Sequence, residues 1–141
     1  MIKVYLKPGK EVPILRFHPW VFSGAIARVT GDPADGDLAA VYDRSGQLLG
    51  AGHFHHGSIA VRLLSFGAAD LESEAFWVDK LARAQRVRNP SPSSMSSLMP
   101  LAEEDLGLFR LVHGEGDGLS GLIVDVYGNT AVVQCHSIGM H

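Results

Sequence analysis

The chain has 141 residues, 46% of them hydrophobic and 19% charged, which is enough to bury a core for one compact domain, or two very small ones, without a disulfide or metal as a staple. Its single cysteine, Cys135, excludes an intrachain disulfide and fits a reducing compartment. No apolar run reaches the length of a membrane span and the Met1–Lys7 start is too short for a signal peptide, so a cytoplasmic protein with no membrane partner is expected.

Residues 3–6 read as a short strand closed by Pro8-Gly9. Leu15–Phe17 leads into His18-Pro19-Trp20-Val21-Phe22-Ser23-Gly24-Ala25-Ile26. Pro19 biases His18 toward extended backbone, and Trp20 and Phe22, two apart, point to one face of an extended chain. Gly24 allows a bend or a close backbone approach. Lys7, Lys10 and Arg16 precede this stretch and Arg28 follows it. An aromatic core strand accounts for the rings alone. A nucleic-acid platform, with cations on phosphates and rings or backbone on bases, accounts for rings and charges together. The stretch by itself leaves both open.

Val21–Val29 reads as one strand. Thr30–Asp37 is a turn cluster; Ala34 and Gly36 stand where a calcium loop needs ligands, so it is read as a solvated turn. Leu38–Tyr42, the turn Asp43–Gly46 and Gln47–Phe54 form a hairpin. Ser58–Phe66 is a further strand, with Ile59, Val61 and Leu63 on one face and Ala60, Arg62 and Leu64 on the other. Short strands broken by Gly, Pro and Asp predict a small barrel or sandwich over residues 1–67.

At Asp70 the period changes. Leu71, Ala75, Val78, Leu81 and Ala82 follow helical spacing, Asp70 is placed to cap, and Asn89-Pro90 to stop. Phe76 and Trp77 are expected to pack this helix onto one of the sheets. The serine-rich Ser91–Pro100 reads as a linker, and Leu101–Leu108 as a short turn of helix. Phe109–Val112, Leu122–Tyr127 and Thr130–His136 read as strands, the last two joined by the two-residue turn Gly128-Asn129. The fold class is therefore mainly β with one long helix (α+β), ending in an incomplete antiparallel unit with exposed edges. The edge near residues 130–136 is a place where a second copy of the chain could pair, so a homodimer is a possible state.

The net charge of −3 is unevenly spread. Residues 1–67 hold seven Lys/Arg against five Asp/Glu, or +2, while residues 91–141 hold Arg110 against six acids, or −5. A polyanion site is allowed on the first half only.

Three other motifs stand out in the sequence. Gly116-x-Gly118-x-x-Gly121 matches a dinucleotide fingerprint, but a β-branched strand follows it where a helix is needed, and Glu115 and Asp117 would repel a pyrophosphate. His53-x-His55-His56 places alternate histidines on one strand face, yet no neighbouring cysteine or acid completes zinc-like spacing. Cys135 beside His136 is read as a buried strand cysteine, because adjacent strand residues face opposite ways. No catalytic, cofactor or metal residues are assigned from these patterns.

Three stretches taken together carry a resemblance. They are His18–Ile26 followed by Gly36-Asp37 and Val41-Tyr42-Asp43; Gly52-His53-Phe54 with Ser58–Leu64; and Arg110-Leu111-Val112-His113-Gly114-Glu115-Gly116-Asp117-Gly118-Leu119-Ser120-Gly121-Leu122-Ile123-Val124-Asp125. In this order the chain resembles the front part of the class I S-adenosylmethionine (SAM)-dependent methyltransferases of large-subunit ribosomal RNA, the RlmI-like family, which form 5-methylcytosine. The resemblance implies a PUA-like RNA-binding pseudo-barrel over residues 1–68. A helix and flexible linker follow over 69–108, and residues 109–141 begin a central α/β domain. It further implies that the SAM site and the catalytic cysteine belong to a Rossmann-like domain that this chain lacks. Cys135 does not match the family's Cys-Pro motif, and the chain alone is expected to be inactive. Ser120 stands where the family usually has proline, which bears on linker rigidity.

On that resemblance, Lys7, Arg16, Arg28 and Arg62 are expected at phosphates, the Ser23-Gly24 backbone at a close approach, and His18 or Trp20 at a base, with large-subunit rRNA as partner. The alternatives are a stand-alone PUA RNA-binding protein and, from another class, a metal enzyme built on His53, His55 and His56.

Overall fold

The structure is a computed structural model that describes residues 1–88 and 108–141. The serine-rich segment and the expected helical turn from Leu101 lie outside the described residues, apart from Leu108.

Six strands form one sheet: β1 (Ile2–Leu6), β2 (Trp20–Phe22), β3 (Ile26–Val29), β4 (Leu38–Tyr42), β5 (Leu48–Phe54) and β6 (Ile59–Phe66), in the order β2-β6-β5-β4-β1-β3. Only the β1–β4 pair is parallel. A flat sheet of this order would hold its edges about 24 Å apart. Yet the edge strands β2 and β3 are separated by Ser23–Ala25 alone, a 3₁₀ turn whose contour is roughly 10 Å. The sheet must therefore curl, which makes a half-barrel. The predicted single strand Val21–Val29 is thus two strands belonging to opposite edges. The curl is also why the chain breaks at Ser23–Ala25.

Val4, Leu6, Ile14, Val21, Val41, Leu49, Phe54, Val61 and Leu63 fill the inside of the curl. On β6 the predicted alternation holds, with Val61 and Leu63 inside and Leu64 in the cluster on the other face. On β5 it does not. Leu49 is an extra residue between the pairs Val41↔Gly50 and Tyr42↔Leu48, and this bulge lets Leu49 share the interior with Phe54.

The helix α1 (Val12–Leu15) follows β1 where the sequence suggested no helix. It ends in a Schellman motif: the His18 N–H donates to the Pro13 carbonyl (2.9 Å) and the Phe17 N–H to the Ile14 carbonyl (2.8 Å). The motif places Phe17 in the left-handed region, φ 62°, a position usually taken by glycine. For a residue with a Cβ this costs about 1–2 kcal/mol.

The long helix, α2 (Glu74–Arg88), begins four residues later than its first cap candidate. Ser73 is the cap: its hydroxyl accepts the Phe76 N–H at 3.2 Å, while Asp70 accepts the Glu72 N–H in the turn before. The expected apolar stripe is not the buried one, since Val78 and Leu81 are exposed. The inward face carries Trp77, Lys80, Ala84 and Arg88, also at helical spacing. Lys80 Nζ donates to the Gly118 carbonyl (3.1 Å) and Arg88 to both carboxylate oxygens of Asp117 (2.8 and 2.7 Å). Trp77 packs in the clusters of both sheets, so α2 is the wedge between them rather than a cover for one.

The second sheet is β7 (Leu108–His113), β8 (Leu122–Tyr127) and β9 (Thr130–Cys135), antiparallel in that order. Tyr127 pairs with Thr130 across Gly128-Asn129, the two-residue turn expected there. All six residues of β9 are exposed. Cys135 is among them, which corrects the reading of a buried cysteine: β9 is an edge strand and no described element covers it. Its Sγ donates to the Met140 carbonyl at 3.0 Å.

Candidate nucleic-acid interface

Two concavities meet at Trp20. The first is a groove of about 490 Å³ between α1 and β2, lined among others by Lys10, Ile14, His18, Trp20, Phe22 and Gly24. The second is a cleft of about 330 Å³ between the two sheets, lined among others by Trp20, Arg62, His113, Glu115 and His136.

In the groove, the His18 Nδ1 accepts the Trp20 N–H at 3.2 Å. The same Nδ1 lies 3.3 Å from the Trp20 carbonyl oxygen, so the ring is held against the Trp20 backbone across Pro19. The His18, Trp20 and Phe22 rings make edge or tilted contacts, with centroids 5.9 to 6.4 Å apart. Lys7 Nζ donates to the Gly24 carbonyl at 2.9 Å and brings a cation to the groove's end. Gly24 has no positive φ, and a Cβ there would meet nothing within 4 Å. A bend therefore does not require glycine here; its effect is an open approach to the backbone. The Ser23 N–H is spent on the Ser58 carbonyl (2.9 Å).

The remaining predicted residues are dispersed. Arg16 is exposed at the end of α1. Arg28 lies over the Tyr5 ring, 4.2 Å from its centroid, on the strand edge opposite β2. Arg62 is paired across the ladder with Trp20 and faces the second cleft. The structure thus brings Lys7, His18, Trp20 and Gly24 together, adds Lys10 to them, and leaves Arg28 apart. Lys10 was visible as a basic flank, but nothing local said that α1 would fold it over the groove.

Glu115 ties the two sheets together. Its Oε1 accepts from Trp20 Nε1 (3.1 Å) and from Ser120 Oγ (2.8 Å). Partial burial alone would raise this carboxyl, but the Ser120 and Trp20 hydrogen bonds and the Arg62 charge outweigh it and hold it below the usual range. Ser120 is fully buried. Its hydroxyl is part of this latch. Ser120→Ala is expected to cost about 1 kcal/mol, measured by urea unfolding. An unchanged midpoint would remove Ser120 from the latch.

The histidines of the His53 motif do not converge. His53 is buried, stacked on Trp77 at 6.3 Å, and burial pushes its pKa down. His55 and His56 instead contact Asp35, at 3.0 and 2.7 Å. A turn begins after Phe54, so the strand alternation stops before His55. Asp35 is held below the usual carboxylate range, chiefly by the His56 backbone N–H.

The glycine-rich loop does not fit SAM. Gly114–Asp117 is a 3₁₀ turn that leads into β8, Asp117 is taken by Arg88, and Glu115 by Trp20. No helix N-terminus follows to meet a charged group.

A model of the PUA-like domain matches residues 4–66. Over 98% of its length the chain is 36% identical to the ribosomal RNA large subunit methyltransferase I of Escherichia coli O1:K1 and to that of Citrobacter koseri. It spans 33% of each of these relatives and aligns with their N-terminal third. A putative SAM-dependent methyltransferase from Streptococcus mutans matches 99% of the chain at a TM-score of 0.69 and 18% identity, over 34% of its own length. A putative methyltransferase complexed with S-adenosylhomocysteine matches at 0.73 and 15%, with the same coverage. The half-barrel, α2 and the second sheet recur in them as a fold. Among the described residues no helix is long and apolar enough to cross a membrane.

Proposed function

We propose that this chain is the RNA-binding portion of a SAM-dependent methyltransferase acting on cytosine C5 of large-subunit rRNA in the cytoplasm. The PUA-like domain, residues 1–68, holds the substrate. The segment 69–108 and the unit from 109 onward connect it to chemistry carried by the two thirds of the relatives that this chain does not span. SAM is bound there.

The observation that carries the reading is the α1–β2 groove on a PUA-like domain. It offers cations at Lys10 and Lys7, a free imidazole edge at His18, and an open backbone at Gly24. Cations neutralise phosphates, and the rings and backbone meet bases. The match to the methyltransferases runs on through the second sheet, and this favours the methyltransferase reading over a stand-alone RNA-binding protein.

The test is binding of a structured large-subunit rRNA fragment at several salt concentrations. Wild type is expected to bind with salt-dependent affinity. Lys10→Ala/Arg16→Ala should lower the salt slope by about 1 to 2. Gly24→Val should weaken binding about tenfold with an unchanged Tm, since its side chain enters open space. Absence of wild-type binding at low salt would end the reading.

A further inference from the structure

We propose that Phe17 and Phe66 form a second site, a stacking ledge for an unpaired nucleobase of single-stranded RNA. The inference rests on the RNA reading above. Neither ring lines the α1–β2 groove, so the ledge is separate from it.

Backbone strain comes first. Phe17 is the one non-glycine residue with positive φ among the described residues. The Schellman bonds dictate that conformation, and glycine adopts it freely. A bulky residue there is tolerated when something else is gained, and burial is not the gain. The Phe17 residue is 73% exposed and its aromatic partner, Phe66, is 41% exposed. The two rings meet edge to face, 5.2 Å apart at 82°. Such a contact occupies a face of one ring and an edge of the other, and the remaining faces lie open to a base.

The setting selects the occupant. Arg16, next in the chain, is exposed and in no salt bridge among the described residues. A guanidinium beside an open ring suits a phosphate beside its base. His18, on the other side, turns into the groove. A strand crossing the end of α1 therefore meets Arg16, Phe17 and His18 in succession. An exposed cation beside an exposed ring matches a single strand, which presents a phosphate and a base at each step.

The experiment uses the whole chain and a short single-stranded oligouridylate carrying one 2-aminopurine, whose fluorescence is quenched by stacking. Phe17→Gly is expected to weaken binding about tenfold and abolish the quench. Its Tm should hold or rise by a few degrees, because glycine relieves the left-handed position. Phe17→Trp should retain binding and quench. If Phe17→Gly binds as wild type does, or only loses Tm, the ring is a packing residue and the ledge falls while the RNA reading stands. If wild type binds the rRNA fragment but not the oligouridylate, the same holds. If wild type binds neither, both fall.

Discussion

Gly52→Ala is expected to abolish the cooperative thermal transition of the half-barrel. A Cβ at Gly52 would fall on the Arg62 carbonyl oxygen, 2.6 Å from the Arg62 carbonyl carbon and 2.7 Å from Leu63 Cα. All three are backbone atoms of β6, and no side-chain rotation moves them. The approach is this close because the β5–β6 register shifts between Ala51 and Gly52, where the ladder skips Leu64. Both strands lie inside the sheet, so widening them would disturb the β2–β6 and β4–β5 pairs. A cost of more than about 4 kcal/mol is expected, a large share of the stability of a small domain. Gly24→Ala is the control, with nothing near its Cβ and no positive φ. A Gly52→Ala protein melting within a few degrees of wild type would show that β5 and β6 are spaced differently.

Arg88→Leu should cost about 3 kcal/mol at neutral pH. The Arg88 and Asp117 side chains are 22% and 7% exposed, and the guanidinium grips both carboxylate oxygens. Without it, Asp117 keeps the His113 N–H (2.6 Å) and loses its counter-charge. The pair also joins the last turn of α2 to the loop before β8, so its loss loosens the second sheet from the wedge. The pH dependence identifies the cause. Burial alone would raise the Asp117 carboxyl, but Arg88 and the His113 N–H outweigh it and hold it below 3.8. A depressed carboxylate stabilises the fold above about pH 4, and that stability is lost as pH falls through the lower, folded value. In Arg88→Leu the guanidinium that depresses Asp117 is gone, so the variant has less of this stability to lose on acidification. The gap between the two proteins in urea unfolding should therefore be widest near pH 7 and narrow below pH 4. A gap independent of pH would assign the loss to packing alone.

These two sites divide between what is legible in a sequence and what is not. The β8–β9 hairpin was legible, because Gly128-Asn129 between alternating strands is a local instruction. The alternation of β6 was legible for the same reason: residues two apart share a face whatever lies beyond. The groove residues His18, Trp20 and Gly24 were legible as a cluster because they are neighbours in the chain. The inward face of α2 was not. Val78 and Leu81 have the apolar spacing, yet Lys80 and Arg88 turn inward because their partners, Gly118 and Asp117, lie 38 and 29 residues away. The break at Ser23–Ala25 and the bulge at Leu49 likewise come from sheet closure, which no window of sequence contains.

Composition, turn chemistry and the strand and helix periods by themselves determined a strand-rich front half, one long helix, a terminal hairpin and a basic aromatic stretch. Local backbone preferences act over a few residues, and those features need nothing more. Tertiary structure alone decided that Trp20 ends on Glu115, 95 residues on, that Arg28 sits on Tyr5 away from the groove, and that Phe17 stands in a left-handed turn with its ring in solvent. Each depends on which distant groups the curled sheet brings within hydrogen-bonding or stacking distance. That is set by the balance of burial and polar pairing over the whole chain.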